Sequence, residues 1–156
     1  MTATILIDSR EKQFKHITDE LDRLQIAWKI QKLSWGDYSF EIDGVSYEKR
    51  VVVERKGSLS ELIGNFTKGS KRFRNEFERA KGCCIVLMVE SSQEQLDRGD
   101  YRSEMHPSDL NRFIKTWSNK YMFKVVFTDR DKATDTVLNI FRQFLIKERG
   151  MLKNGT

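Results

Sequence analysis

The sequence has few of the residues that build cross-linked or irregular proteins, with one proline and two cysteines among 156 residues. Cys83 and Cys84 are adjacent in an apolar run, and there is no second cysteine pair with which to form a zinc site or disulfide framework. We predict that both are small core residues of a protein in a reducing compartment. A single proline and 38% hydrophobic residues also exclude a low-complexity chain.

Long apolar runs are missing as well. The longest, CCIVLMV at 83–89, is too short to span a membrane and is typical of a buried strand. The stretch MTATILIDSREK at the N-terminus has no basic segment followed by an apolar one, so we predict no signal peptide. These absences predict an intracellular protein without a membrane partner, located in the cytoplasm if the source is a prokaryote or a virus of prokaryotes.

Charge is abundant, but its excess is small and unevenly placed. The chain has 28 Lys and Arg against 23 Asp and Glu, which gives a net charge of +5. Residues 67–81 (TKGSKRFRNEFERAK) hold six basic side chains and only two glutamates. Such a patch favours binding of a polyanion such as nucleic acid, whereas a solvated helix face gives the same density of charge. Composition alone leaves both interpretations open.

Hydrophobic periodicity predicts one alternating α/β domain over residues 1–156. Apolar runs and alternating patterns predict strands, and apolar residues repeating every three or four positions predict the helices between them. The predicted strands cover residues 4–8, 27–33, 38–42, 45–55, 83–90 and 123–127. Helices that alternate with strands pack on both faces of a central sheet, so we expect a three-layer fold with a mixed sheet.

The hairpin between residues 36 and 57 holds the most informative polar residues. Asp37 precedes its first arm, and Glu54 and Lys56 end its second arm. Glu54 and Lys56 are two apart on a strand and therefore project from one face, while Arg55 points to the other. Carboxylates that hold a hard divalent cation beside a lysine suit phosphodiester hydrolysis, because the metal polarises the phosphate and activates water. Taken singly, Asp37 is more often a turn residue, and a Glu–Lys pair more often a surface contact.

The strand register poses a difficulty for a metal site. The two-residue turn at Asp43-Gly44 sets a register in which Asp37 lies opposite Arg50. Glu54 would then lie roughly 13 Å from Asp37 along the strand, too far to share a metal ion. A shared site therefore requires either a longer loop or a bulge within residues 46–50.

Three short motifs occur in order, each at a predicted strand: IDSRE at 7–11, GDY at 36–38 and VERK at 53–56. Together they resemble the XPF-family nuclease domain, whose hallmark is a GD…ERK arrangement, within the PD-(D/E)xK superfamily. The resemblance covers about residues 3–150 and implies a restriction-endonuclease-like fold. It also implies a Mg²⁺-dependent endonuclease, with Mn²⁺ able to substitute, that cuts branched DNA (four-way junctions, forks or flaps) in recombination or repair.

The resemblance implies a role for each matching position. Asp37, Glu54 and Asp8 are the expected metal ligands, and Glu11 is expected to line the same pocket as a catalytic residue. Lys56 is expected to orient or help deprotonate the attacking water and to stabilise charge on the phosphate. The expected DNA-binding residues are Arg10, Arg55, Lys68, Lys71, Arg72 and Arg74. The two arginines of the motifs, at 10 and 55, alternatively brace the carboxylates.

Two departures from the family pattern bear on function. The family motif continues ERK-x-x-x-D, and that position is Ser60 here. The neighbouring Glu61 belongs to a predicted capping box with Ser58, so we expect it to cap a helix rather than to bind metal. The helix-hairpin-helix and helicase modules of the family are not recognisable in the sequence.

The resemblance also implies a homodimer, because nuclease domains of the XPF family pair through their C-terminal part. Residues 107–145 hold seven of the 17 aromatic residues and two apolar helical stripes, which either cover the sheet or pair with a second copy. We expect one of these C-terminal helices to form a two-fold interface that fixes two active sites relative to each other. Two further functions stay open, a DNA-binding pseudonuclease that positions a partner and a restriction-type nuclease that reads base sequence. Retention of all the candidate catalytic residues favours the nuclease.

Overall fold

Seven strands form one mixed sheet in the computed structural model, which describes residues 2–154 and the side chains of residues 2–150. The strands are β1 (Ala3–Asp8), β2 (Ala27–Gln31), β3 (Tyr38–Ile42), β4 (Val45–Ser46), β5 (Val51–Lys56), β6 (Cys84–Val89) and β7 (Lys124–Phe127). They stand in the order β2-β1-β3-β5-β6-β7, and the short β4 pairs with β3. Strand β3 runs antiparallel to β1 and β5, whereas β5, β6 and β7 are mutually parallel.

Six α-helices of the described residues cover both faces of the sheet. They are α1 (Lys15–Arg23), α2 (Leu59–Phe66), α3 (Ser70–Arg79), α4 (Gln93–Asp97), α5 (Pro107–Tyr121) and α6 (Ala133–Asn154). Val52 and Leu87 point toward α2, α3 and α5, whereas Val53 and Met88 point toward α1 and α6. Helices on both faces of a mixed sheet confirm the predicted three-layer fold class. They also explain why β6 is apolar along its length, since both of its faces are buried. Between residues 2 and 154, no helix combines the length and the apolar character needed to cross a membrane.

The predicted second arm of the hairpin is interrupted by a bulge. The Asp43-Gly44 turn forms as predicted, and both of its residues have positive φ (50° and 81°), which suits a type I′ turn. Beyond it, residues 47–50 leave the ladder, and Tyr38 pairs with Val53, four positions past the register that the turn sets. Of the two solutions to the register difficulty, the bulge within residues 46–50 is therefore confirmed.

The start of α2 is fixed by the predicted capping residues. The Ser58 hydroxyl accepts a hydrogen bond from the Glu61 amide at 3.2 Å, and the Glu61 carboxylate accepts one from the Gly57 amide at 2.8 Å. These two bonds satisfy free N–H groups at the helix start. Glu61 is therefore a capping residue, as expected.

Candidate active site

Three neighbouring strands meet at one edge of the sheet, each with an acidic residue. Asp8 ends β1, Asp37 directly precedes β3, and Glu54 lies near the end of β5. Because β3 is antiparallel to both neighbours, its beginning lies between the ends of the other two strands. The Asp8 amide donates to the Asp37 carbonyl at 2.8 Å, and the Asp37 amide donates to the Val53 carbonyl at 2.9 Å. The bulge and these backbone bonds bring the three predicted positions side by side.

The glycine before Asp37 is required by close packing. Gly36 has a φ of 75°, and a Cβ atom on it would lie 2.7 Å from the Cβ of Val52 on β5. Any other residue would therefore strain its own backbone and push the two strands apart. The Gly-Asp pair lets the Asp37 backbone approach the strand that carries Glu54.

The carboxylates line a cleft of about 200 Å³ between this sheet edge and helix α3. Charged side chains dominate its lining, which includes Asp8, Arg10, Asp37, Glu54, Arg72, Glu76 and Arg79. Three of these residues (72, 76 and 79) come from α3, where spacings of four and three residues place them on one helix face. The cleft therefore combines carboxylates that suit a cation with arginines that suit a phosphate.

Asp37 and Glu54 are the acids whose ionisation the cleft disfavours. The Asp37 Oδ2 accepts a hydrogen bond from the Arg55 amide at 2.7 Å. Burial raises the pKa of Asp37 to about 7, and the charge of Glu11 adds to the rise. Burial also raises the pKa of Glu54, to which the charge of Asp37 adds, while Lys56 lowers it. The pair thus concentrates negative charge that a bound cation would relieve.

Lys56 lies beside Glu54, on the cleft side of β5, as the two-residue spacing predicts. Its Nζ is 3.4 Å from Glu54 Oε1 and 5.5 Å from the centre of the Phe73 ring. The side chain is only 12% exposed, so water screens its charge weakly. An ammonium group held in this way can stabilise negative charge that develops next to the carboxylates.

The donor set fits a magnesium ion that keeps water or phosphate oxygens in most of its coordination positions. Among the described residues, no three His, Cys, Asp or Glu side chains lie close enough together to hold a metal ion alone. Mg²⁺ usually keeps several waters and takes only one or two protein carboxylates together with substrate phosphates. Asp37 and Glu54 supply two hard oxygen donors whose raised pKa values a cation would lower.

Asp8 is engaged by its own neighbours. Arg10 Nε donates to Asp8 Oδ2 at 2.8 Å, and the Leu33 amide donates to Asp8 Oδ1 at 2.8 Å. With both oxygens bonded and 3% of its side chain exposed, Asp8 anchors Arg10, whose pKa it raises by that hydrogen bond. Asp8 also lines the cleft as predicted, and its role as a metal ligand stays a prediction. Arg10 remains 59% exposed and lines the cleft, so it is both a brace and open to a phosphate.

Arg55 and Glu11 correct two expectations. Arg55 is 4% exposed and points to the sheet face away from the cleft, where it binds Glu90 at 2.5 Å and lies 3.8 Å from Glu11. A guanidinium this buried cannot contact DNA, so bracing is the role that its contacts allow. Glu11 was expected to line the cleft but does not. Its carboxylate accepts hydrogen bonds from the Lys12 and Gln13 amides and faces Arg55. Its negative charge contributes to the raised pKa of Asp37.

The predicted DNA-binding residues of the segment 67–81 are exposed. Lys68, Lys71, Arg72 and Arg74 all lie on the surface, while Phe73 and Phe77 of the same segment pack into the core. Sequence reasoning missed two residues of this helix that line the cleft, Glu76 and Arg79. Their helical spacing from Arg72 was the available signal, but it shows only after the helix is known to face the carboxylates.

Ser60, at the position of the family aspartate, lies outside the carboxylate cleft. Its hydroxyl accepts a hydrogen bond from the Arg102 amide at 3.2 Å, and it lines a separate open groove with residues 99–102. The side chain therefore holds a loop, and the carboxylates at 37 and 54 do not depend on it.

Comparisons with known proteins give the family and the fold of this chain. The family described as ERCC4 domain matches residues 7–141, which is most of the chain. Among solved structures, XPF from Aeropyrum pernix is similar, with a TM-score of 0.68 and 18% sequence identity over 96% of this chain and 67% of that chain. At this identity the likeness shows a shared fold. No curated protein sequence matches this chain.

Proposed function

We propose, from the premise that this chain belongs to the ERCC4 domain family, that it is a metal-dependent endonuclease that hydrolyses phosphodiester bonds in branched DNA. The family is one of structure-selective, DNA-binding nucleases. One observation carries the proposal: Asp37 and Glu54 lie side by side with raised pKa values, and the partly buried ammonium of Lys56 lies beside Glu54. A role in recombination or repair inside the cell follows from the substrate class.

In this proposal Asp37 and Glu54 would hold Mg²⁺ or Mn²⁺, which when bound would polarise the phosphate and lower the pKa of a water. Lys56, 3.4 Å from Glu54, donates to the attacking water or to a phosphate oxygen and stabilises the developing charge. Hydrolysis adds one water to the bond: its oxygen bonds to phosphorus, one phosphate ester bond breaks, and the departing sugar oxygen takes up a proton. The Arg55 amide keeps the Asp37 carboxylate oriented throughout.

DNA binding is proposed to begin at the rim of the cleft and to continue along α3. Arg10, Arg72 and Arg79 surround the carboxylates, and guanidinium groups bind phosphate oxygens in a fork geometry. The other exposed basic residues, at 68, 71 and 74, extend the positive surface outward from the rim. This arrangement presents a phosphate backbone to the carboxylates without reading base edges.

Reversing charge on α3 is expected to weaken binding to every DNA. The variant Lys71→Glu, Arg72→Glu, Arg74→Glu should bind all DNAs more weakly, and its dissociation constant should depend less steeply on salt. Each lost phosphate contact removes about 0.9 from the slope of log affinity against log salt on duplex DNA. Fluorescence anisotropy at several salt concentrations measures the slope.

The matched control reverses three exposed basic residues outside the cleft, Lys49, Lys115 and Lys132. This control should keep a slope close to that of the wild-type protein, although its net charge changes by the same amount. Equal losses of slope in both triple variants would show that the segment is an ordinary solvated surface.

A homodimer is proposed through the side of α6 that lies against β7. Strand β7 is at the sheet edge, and Val126, Ile140 and Phe144 line an apolar groove of about 220 Å³ between it and the helix. Ile146, further along α6, is 60% exposed. A two-fold contact on this surface would hold two clefts at a fixed separation, which suits DNA with two arms. Sedimentation at micromolar concentration should give twice the mass of the 156-residue chain, and a monomer there excludes this interface.

The preference for branched DNA is tested by cutting a matched set of substrates. Four-way junctions, forks, flaps and linear duplexes of equal length and shared sequence are incubated with excess protein and Mg²⁺. Branched substrates should be cut faster than linear duplex, with nicks near the branch. Equal rates on all four would leave a general nuclease, and cutting at one base sequence in every substrate would indicate a restriction-type enzyme.

A further inference from the structure

Glu90, which follows β6, is the centre of a buried charged cluster on the sheet face opposite the cleft. Its side chain is 2% exposed, and its Oε1 accepts a hydrogen bond from Arg55 at 2.5 Å. Its Oε2 lies 2.6 Å from the Nε2 of His16 on α1, and Arg130 reaches Oε1 at 3.3 Å. A carboxylate this buried is costly unless its partners are fixed, and these contacts fix it from three directions.

Arg55 connects this cluster to the cleft through its backbone. While its side chain binds Glu90, its amide donates to Asp37 Oδ2 at 2.7 Å on the cleft side. Its sequence neighbours, Glu54 and Lys56, project into the cleft side of the same strand. The Glu90 amide also donates to the Lys56 carbonyl at 2.9 Å, so Glu90 holds this segment by both backbone and side chain.

We infer that Glu90 is a positioning residue for the nuclease proposed above. By fixing Arg55 from behind the sheet, it keeps the Arg55 amide on Asp37 and the side chains of Glu54 and Lys56 at constant separation. It contacts neither the DNA nor the metal. The inference rests on the proposed function for its effect on cutting, but not for its effect on the geometry of β5.

The charged pair is better explained by orientation than by stability. A buried ion pair gains little stability over an apolar pair of the same volume, because both charges lose their water. Orientation is different: Arg55 lies between two carboxylates, Glu90 at 2.5 Å and Glu11 at 3.8 Å, so its guanidinium plane is held at two points. A displacement of about 1 Å in a reacting group can lower a rate by about a hundredfold.

The test is Glu90→Gln, which keeps the shape of the side chain but removes its charge. Under saturating DNA and metal, kcat should fall by about tenfold or more, as expected for a misplaced reacting group. The dissociation constant for DNA should stay within about twofold, since no phosphate contact is lost. The backbone amide resonance of Arg55 should shift in a ¹⁵N–¹H spectrum of the metal-free protein, because its hydrogen bond to Asp37 is displaced.

The control is Glu41→Gln, which removes the partner of Lys29 (3.1 Å) at the far end of β3. It should leave both kcat and the Arg55 resonance unchanged. If Glu90→Gln alone does not fold, the double variant Glu90→Gln, Arg55→Gln removes both charges of the Arg55–Glu90 pair. It should fold and cut as poorly as predicted for the single variant.

Three outcomes would overturn the inference: wild-type kcat in the folded Glu90 variant or in the double variant, an unmoved Arg55 resonance, or an equal loss in Glu41→Gln. If the wild-type protein cuts no DNA, the nuclease proposal fails. The Arg55 resonance then still decides whether Glu90 positions β5.

Discussion

Asp37→Asn should abolish DNA cutting and, at pH 8 without metal, make the protein more stable. The variant removes the charge that would hold the cation, so we expect the cutting rate to fall by about a thousandfold, at the upper end for one electrostatic group. The asparagine oxygen can still accept the hydrogen bond from the Arg55 amide, so the strand keeps its place. Glu54→Gln should lose cutting to a similar extent. Both variants should bind DNA nearly as well as the wild-type protein, because the basic residues are untouched.

The gain in stability follows from the raised pKa of Asp37. The ordinary pKa of this side chain is 3.8, and in the folded protein it is about 7. As pH rises from about 4 to about 7, the unfolded chain loses this proton while the folded chain keeps it, so wild-type stability falls. Asparagine does not ionise, so the Asp37→Asn protein does not lose stability in this way. Its unfolding free energy should exceed that of the wild-type protein by an amount that grows between about pH 4 and about pH 7 and stays constant above about pH 7. We expect a gain on the order of 2 kcal/mol, or about 4–8 °C in Tm.

Thermal denaturation in chelator at pH 5.5 and pH 8 measures this gain, and the larger value should occur at pH 8. Glu78→Gln is the control, since Glu78 is exposed on α3 outside the cleft lining. It should keep wild-type cutting and show no such gain. An Asp37→Asn protein that cuts at the wild-type rate is incompatible with the proposed site. One that is less stable than wild type at pH 8 is incompatible with the raised pKa of Asp37.

Lys56→Met should lower the single-turnover cutting rate by about a hundredfold or more. Methionine keeps much of the apolar stem that lies against Phe73 but removes the ammonium group next to Glu54. Loss of one preorganised group that stabilises developing charge typically has an effect of this size. Lys56→Ala should be at least as severe, because the stem is lost as well. Quench-flow cutting of a labelled junction, with protein in excess over DNA, gives the rate.

Lys29→Met is the matched control for Lys56. Lys29 pairs with Glu41 at 3.1 Å on the same sheet, but 47% of its side chain is exposed, so its ion pair contributes little. It should cut at the wild-type rate. A Lys56→Met protein within about threefold of wild type would remove this lysine from the chemistry.

Local rules predicted much of the site. The Asp43-Gly44 turn follows from the two positive φ angles that such a turn needs, and the shared face of Glu54 and Lys56 follows from the two-residue repeat of a strand. The same repeat correctly predicts that Arg55 points to the opposite face of the sheet. The sequence could not name its partner there, because Glu90 lies 35 residues away on another strand end.

The position of the bulge depends on contacts that are distant in the chain. Tyr47 stacks on Phe40 with ring centres 4.6 Å apart, and it makes a T-shaped contact with Phe144 on α6. Arg50 lies over the Tyr47 ring and pairs with Glu148, also on α6. A helix almost a hundred residues later thus helps to hold the four residues that bring Asp37 beside Glu54. From the sequence, only the need for either a longer loop or a bulge could be inferred.

The expectations that the geometry corrects share one cause. The roles expected for Arg55 and Glu11 rest on motif positions, which give the strand and its end but not the partners of each side chain. The Arg10 side chain forms an ion pair with Asp8, and the carboxylates of Glu11 and Glu90 flank the buried Arg55. Charged groups removed from water must find partners, so their roles depend on the neighbouring elements. Glu90 had one available signal, an acidic residue directly after a fully apolar strand.

The most direct test is the cutting of one labelled four-way junction by the wild-type protein in three reactions, with Mg²⁺, with Mn²⁺ and with chelator. The protein concentration and the DNA concentration are the same in all three. A site built on Asp37 and Glu54 predicts nicks near the crossover with either metal and none in chelator. Readdition of Mg²⁺ in excess over chelator should restore the nicks. Cutting that continues at the same rate in chelator would contradict the metal-dependent site.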